Sequence, residues 1–302
     1  MSLIAFLGAI ETGLLFGFVA LGVLLSFRVL DFPDLTVDGS LPLGAAVAAT
    51  LIVAGWNPYL ATVAALVAGG GAGLVTAWLN VRLKILHLLA SILVMIALYS
   101  VNLRVMGKPN QALLGEETVF TPLEALGLPY YWTTPIFLAV VLAAVMVAFH
   151  AFLASEVGLG MRATGANPRM AAAQGIHTGR MKMAGIALAN ALAALSGAFF
   201  AQIQGGADIT MGVGVIVVGL AAVILGEAVL TPRTLVLAII GCVLGSILYR
   251  LAVALALNAD FLGLQAQDLK LITAVLVVAA MTLPGARRKW ALKRKNLPGP
   301  GA

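Results

Sequence analysis

Twelve carboxylates in 302 residues are few enough to weigh one at a time. Three crowd into Asp31-Phe32-Pro33-Asp34-Leu35-Thr36-Val37-Asp38-Gly39-Ser40-Leu41-Pro42, and a fourth opens Asp208-Ile209-Thr210-Met211. Carboxylates set among hydroxyls in apolar surroundings can cap helices by accepting backbone amides. They can also contact a solute or couple an ion. They do not form a catalytic set, because no nucleophile–base pair or carboxylate couple has recognisable spacing. His87, His150 and His177 are too scattered to ligate a metal, and the single cysteine, Cys242, lies in an apolar run. No GxxxxGK[ST] sequence occurs, so ATP enters only through another chain.

The elements that must position these residues are membrane helices. Hydrophobic residues make up 62% of the chain and charged ones 10%, against about 25% charged in an average soluble domain. A water-soluble fold of this size cannot hide so much apolar surface. Nine apolar stretches stand out, at about 3–27, 39–55, 58–79, 85–106, 135–154, 181–203, 212–230, 234–257 and 268–283. The expectation is an all-α, polytopic membrane protein with about nine crossings. The first stretch has no basic residue before Arg28, unlike a cleaved signal peptide. Six of the eighteen basic residues lie between Arg287 and Lys295, which makes the net charge of +6 a topology signal rather than a nucleic-acid footprint. Alternating back from a cytoplasmic tail puts Arg28, Arg82, Lys84, Arg162, Arg169, Arg180, Lys182 and Arg233 on the same side, hence N-out and C-in.

On this frame the chain is one transmembrane domain over 1–302. Halves of about 1–155 and 181–285 are joined by a cytoplasmic segment, 155–180, and 286–302 is a basic cytoplasmic tail. Residues 107–134 form the long outer connection, closing on Tyr130, Tyr131 and Trp132 as an interfacial anchor. The 31–42 segment breaks the hydrophobicity, and Asp38 or Ser40 can cap a new helix with Pro42 in its first turn. Such a break survives at membrane depth only inside protein or beside a water-filled cavity. Asp34-Leu35-Thr36-Val37 is echoed by Asp208-Ile209-Thr210-Met211, five crossings later. An odd separation means opposite faces, which is the pattern of broken helices in an inverted repeat.

The second informative run is Gly158-Leu159-Gly160-Met161-Arg162-Ala163-Thr164-Gly165-Ala166-Asn167-Pro168-Arg169-Met170-Ala171-Ala172-Ala173-Gln174-Gly175-Ile176. Asn167 is a natural N-cap, Pro168 fits the first helical position and Gly175 the C-terminal cap. The helix between them has about two turns, too few to persist alone in water. Something must hold it, and a groove on a partner is one candidate.

These two motifs together resemble the permease subunits of bacterial ABC importers, in the group containing branched-chain amino acid and ribose-type permeases. Arg162 to Pro168 and Ala172 to Ile176 are similar to the cytoplasmic loop of that group, and Asp34 to Ser40 to its broken second helix. The Phe32 to Ser40 stretch with Gly212 to Glu227 resembles most a branch of which some members are associated with aromatic amino acid uptake. The resemblance covers nearly the whole chain. It implies a homodimeric pore in the bacterial plasma membrane, docked on two ABC ATPase subunits and fed by an extracytoplasmic substrate-binding protein. ATP and magnesium would sit on the ATPases, with no cofactor on this chain. The short cytoplasmic helix would lie in an ATPase cleft, whose closure switches the pore between outward- and inward-facing states.

Candidate residues follow. The substrate pathway takes Asp34, Thr36, Asp38, Ser40, Asp208 and Thr210, with Asp34 and Asp38 either capping or touching substrate. ATPase coupling takes Arg162, Thr164, Gly165, Asn167, Arg169, Met170, Ala171 and Gly175. Glu227 is expected to pair with Arg233, Asn102 and Asn190 to hydrogen-bond between helices, and His87 to be structural. The leading function is therefore the non-enzymatic membrane subunit of an importer for a small solute, with amino acids the best fit to a half-helix N-terminus. The rival is a self-sufficient carrier that couples ions through Asp34, Asp38 and Asp208. A membrane-embedded enzyme would need a catalytic cluster at one face, and the sequence offers none.

Overall fold

A computed structural model describes residues 3–124 and 129–257, together with positions 274, 275 and 278. The first helix, α1 (Leu3–Val23), widens into a π-helical turn over Leu24–Val29. It ends where the Leu30 amide donates to the Leu25 carbonyl at 3.0 Å and the Phe32 amide to Ser26 at 2.8 Å. Asp31 then takes φ +51°, a left-handed conformation that short polar side chains tolerate. There the chain turns back on itself.

Among the described residues six helices are long and apolar enough to cross a membrane. They are α1 with its π turn, α3 (Pro58–Leu83), α4 (His87–Met106), α6 (Tyr130–Ala154), α9 (Thr178–Gln204) and α11 (Leu235–Leu257). Two more apolar helices, α2 (Val37–Val53) and α10 (Val215–Val229), have only 17 and 15 residues. At 1.5 Å per residue they reach about 26 and 22 Å, short of a hydrocarbon core about 30 Å thick. Eight of the nine stretches expected from sequence are thus helices. The ninth, 268–283, lies almost wholly outside the described residues, as do Lys270 and the 286–302 tail.

α9 is the central post. Inside the bundle 72% of its most apolar window is buried, against 22% for α6, which turns Val140 and Val147 outward. α1, α2 and α3 pack around α9. The approach of α2 is close: a Cβ on Gly44 would sit 2.0 Å from the Ala194 carbonyl oxygen, and one on Gly197 1.9 Å from that of Leu41. Apolar contact gives membrane helices no advantage over lipid, so close backbone packing of this kind holds them together.

The two ends of the bundle differ. At one end a two-stranded antiparallel ribbon joins β1 (Asn110–Ala112) to β2 (Gly206–Asp208), with Asn110 opposite Asp208. Gln202 ties this end together, accepting from the Val119 amide and donating to Thr62 Oγ1, both at 3.0 Å. A single turn, α5 (Thr121–Glu124), follows in the connection to α6. At the opposite end lie the π turn of α1 and the short helices α7 (Glu156–Ala166) and α8 (Pro168–Ala173). α7 was not expected, since three glycines in eleven residues depress helix propensity. Its glycines let it pack closely on its neighbours: a Cβ on Gly165 would lie 1.9 Å from the Val29 carbonyl oxygen in the π turn, and one on Gly158 2.4 Å from the Phe152 carbonyl oxygen of α6.

Candidate functional site

The break after α1 is built around Asp34, which is fully buried. Its Oδ1 accepts the Thr36 amide at 2.9 Å, a local turn that starts α2. Its Oδ2 accepts from Asn190 Nδ2 at 2.6 Å, and Asn190 Oδ1 in turn accepts the Ser40 hydroxyl at 2.7 Å. Thr36 Oγ1 meets Thr76 Oγ1 at 2.7 Å. Asp34, Thr36, Ser40, Thr76 and Asn190 are all buried and link the break, α2, α3 and α9 into one network. Such a network is costly to leave half made, so these side chains specify one arrangement of the three helices.

Asp38 does something else. Helix α2 begins at Val37, so Asp38 stands in its first turn rather than before it, and Pro42 lies in the second turn. The carboxylate instead reaches across to α10, accepting from Gly214 N–H at 3.1 Å and Ile216 N–H at 2.8 Å. It caps a helix 176 residues away in sequence, where the amides lack partners of their own and the dipole favours a negative charge. Pro42 has no N–H for the Asp38 carbonyl. Gly212 packs against that carbonyl, so closely that a Cβ would lie 1.9 Å from the oxygen and 2.6 Å from Pro42 Cδ.

The N-termini of α2 and α10 therefore meet, and the helices diverge. α2 runs toward the ribbon end, where Thr50 Oγ1 donates to the Val105 carbonyl. α10 runs toward the α7–α8 end, where Glu227 near its terminus accepts from Arg28 Nε and Nη2, one to each carboxylate oxygen. That pair corrects the expected Glu227–Arg233 partnership. Arg233 is close in sequence, but the descent of α10 beside α1 brings Glu227 to Arg28. A cavity of about 390 Å³ opens beside Asp38, walled by α2, α4 and the 209–213 strand of chain.

Asp208 and Thr210 stand apart from this junction, on the ribbon. Asp208 Oδ1 accepts the Thr210 amide at 2.7 Å, which reproduces the Asp34–Thr36 turn, and it also accepts the Thr210 hydroxyl. The coupling residues divide. Asn167 caps α8, taking the Arg169 and Met170 amides at 3.1 Å each, and Gly175 adopts φ +82° at the far end. Arg162, Asn167, Arg169, Met170 and Gly175 are on the surface, whereas Thr164, Gly165 and Ala171 face the bundle. Met170 is 63% exposed, with Val157 and Leu159 also bare on α7.

Residues 5–282 match the family described as branched-chain amino acid transport system / permease component. The chain belongs to this permease family. Over 267 residues it is 36% identical to the tyrosine transport system permease protein of Clostridioides difficile (strain R20291), covering 88% of this chain and 86% of that one. An uncharacterized protein of Rickettsia prowazekii (strain Madrid E) is 33% identical over 278 residues, covering 91% and 95%. No solved structure gives a significant match.

A permease is a multi-pass protein of the inner membrane, and the exposed leucines and valines of α3, α4 and α6 are its surface toward lipid. Sequence reasoning placed Asp34, Thr36, Asp38 and Ser40 together, and the permease keeps them in the break and the first turn of α2. It did not foresee Thr76, Gly212 or Gly214 as their partners. Asn190 hydrogen-bonds between helices as expected, and so does Asn102, which donates to the Gly39 carbonyl at 3.3 Å. His87 is likewise structural, paired with Asn80 at 3.0 Å and stacked near Phe32. Polar residues inside apolar spans were the available signal for Thr76, but no pattern in one sequence says which span faces which.

Proposed function

We propose that this permease forms the membrane pathway of a binding-protein-dependent ABC importer for an amino acid with an aromatic or apolar side chain. Two copies would form the pore, with two ATPase subunits below and a soluble receptor above. Membership of the permease family and the tyrosine transport relative support the substrate class. The observation that carries ATPase coupling is α8: a capped two-turn helix outside the apolar bundle, presenting Met170 and Arg169 to solvent. An exposed methionine beside arginines is a surface for a protein groove, and an ion-coupled carrier has no use for one.

Nine crossings in the N-out, C-in sense complete the reading. Arg28, Arg82, Lys84, Arg162, Arg169, Arg180 and Lys182 all belong to termini that gather at the α7–α8 end, in support of a cytoplasmic placement for it. The matching Asp34–Thr36 and Asp208–Thr210 turns, each leading to a short helix of opposite direction, support an inverted repeat. Asp34, Thr36, Ser40, Asp208 and Thr210 then shape the pathway's walls, and Asp38 borders it.

The test is purification of the permease from its native membrane, mass spectrometry of its companions, and uptake by the reconstituted complex. A stoichiometric ATPase and ATP-dependent tyrosine uptake are expected. Met170→Asp is expected to leave the permease inserted and abolish ATPase co-purification. Uptake by the permease alone, driven by an ion gradient, would overturn the proposal.

A further inference from the structure

The cavity beside Asp38 has one polar wall and several apolar ones. Met95, Ile96, Tyr99 and Val213 supply the apolar surface, while Asp38, Ser100 and Asn102 form the polar side. Asn102 is only 1% exposed. Its Nδ2 is committed to the Gly39 carbonyl, one residue beyond Asp38, and its Oδ1 has no hydrogen-bond partner among the described residues. A buried acceptor without a donor is costly, and a bound donor restores what is lost. The two Asp38 oxygens each accept one amide and keep lone pairs.

This wall therefore offers acceptors and a negative charge. It does not offer a free helix N-terminus, because Asp38 already occupies that of α10, and the first amides of α2 are held by Leu35 and Thr36 carbonyls. A substrate carboxylate would find only the Ser100 and Tyr99 hydroxyls as donors, and would meet the Asp38 charge beside them. A primary ammonium fits well: it carries three donors and a positive charge, and the Tyr99 ring can face a cation. At about 390 Å³ the cavity matches an amino-acid-sized solute.

We infer that the Asp38–Asn102 cavity is a way-station of the pathway, which holds its substrate by the ammonium group and lays the apolar side chain against Met95, Ile96 and Val213. This inference rests on the proposed amino acid import and adds the group that is recognised. It makes Asn102 a binding residue, where its helix-pairing role accounts only for Nδ2.

The chain suits a thiol-reactivity test, because Cys242 is 1% exposed and Ile96→Cys adds one thiol on the cavity wall. The ATPase-bound permease in nanodiscs is treated with a cationic (ethylammonium) or an anionic (ethylsulfonate) methanethiosulfonate, with rates normalised to free cysteine. The cationic reagent is expected to react about tenfold faster, and Asp38→Asn to erase the preference. L-Tyrosine and tyramine, which carry the ammonium, are expected to slow the reaction; 3-(4-hydroxyphenyl)propionate, which lacks it, is not. Failure of both reagents would mean a lipid-facing wall and overturn the inference, as would equal rates or protection by the propionate alone. In a separate assay Asn102→Leu is expected to raise the KM for tyrosine uptake about tenfold with the ATPase still bound. An unchanged KM would return Asn102 to a purely structural role. Thiol reactivity needs no transport, so a complex that imports no amino acid sinks the proposed function without deciding this one.

Discussion

The two broken segments of this permease begin alike and end differently. Asp34 and Asp208 each accept the amide two residues on, from Thr36 and Thr210. Asp34, Thr36 and Ser40 are buried and satisfied by α3 or α9, and only Asp38 turns away to α10. After Asp208 the chain is held by the ribbon, the Pro109 carbonyl and the close packing of Gly212 on α2, Thr210 is exposed, and the helix that follows borrows its cap from Asp38. One segment is locked to the central post by buried side chains; the other is held mainly through its backbone. A pathway that must open needs that asymmetry, because a fixed half gives the other something to move against.

Breaking the locked side has the largest expected effect. Asn190→Leu leaves Asp34 and Ser40 buried without their partner, which costs about 3–5 kcal/mol. The detergent-purified permease is expected to melt well below wild type, and an unchanged melting temperature would mean that the network holds nothing. Gly212→Val comes next, forcing a side chain into the Asp38 carbonyl and Pro42. A loss of about 1–3 kcal/mol is expected, with uptake falling further than stability because the two half-helices are pushed apart. Asp38→Ala removes a cap, worth about 0.5–2 kcal/mol, and tyrosine uptake should drop at constant expression. The smallest effect belongs to the loose side. Asp208→Ala is expected to shift stability by under about 1 kcal/mol, and a shift as large as that of Asn190→Leu would erase the contrast between the segments.

Much of this was legible beforehand. The break after residue 30 declared itself through three carboxylates, two prolines and a glycine in a chain that is otherwise apolar. Helix α8 could be read from Asn167, Pro168 and Gly175, and its cap hydrogen bonds are the ones those residues make elsewhere. Helix α7 could not, because its glycines argue against a helix until the neighbours it packs on are known. Gly165 and Ala171 looked like parts of the docking face but carry the helices against the bundle, so bulky residues there would act by displacing the platform.

By itself the sequence determined the membrane class, the positions of eight apolar helices and the cap at Asn167, with capping one of two readings for Asp34. Those are set by composition and by hydrogen bonds spanning two or three residues, which a linear reading contains. Only the tertiary structure decided that Asp38 caps α10, that Arg28 rather than Arg233 holds Glu227, and that Asn102 leaves one oxygen unpaired beside a cavity. Each of these joins residues 63 to 199 positions apart. In apolar spans every helix face looks suitable for every other. The choice among them is made by where backbones can approach, at Gly44, Gly197 and Gly212, and that is a property of the assembled bundle.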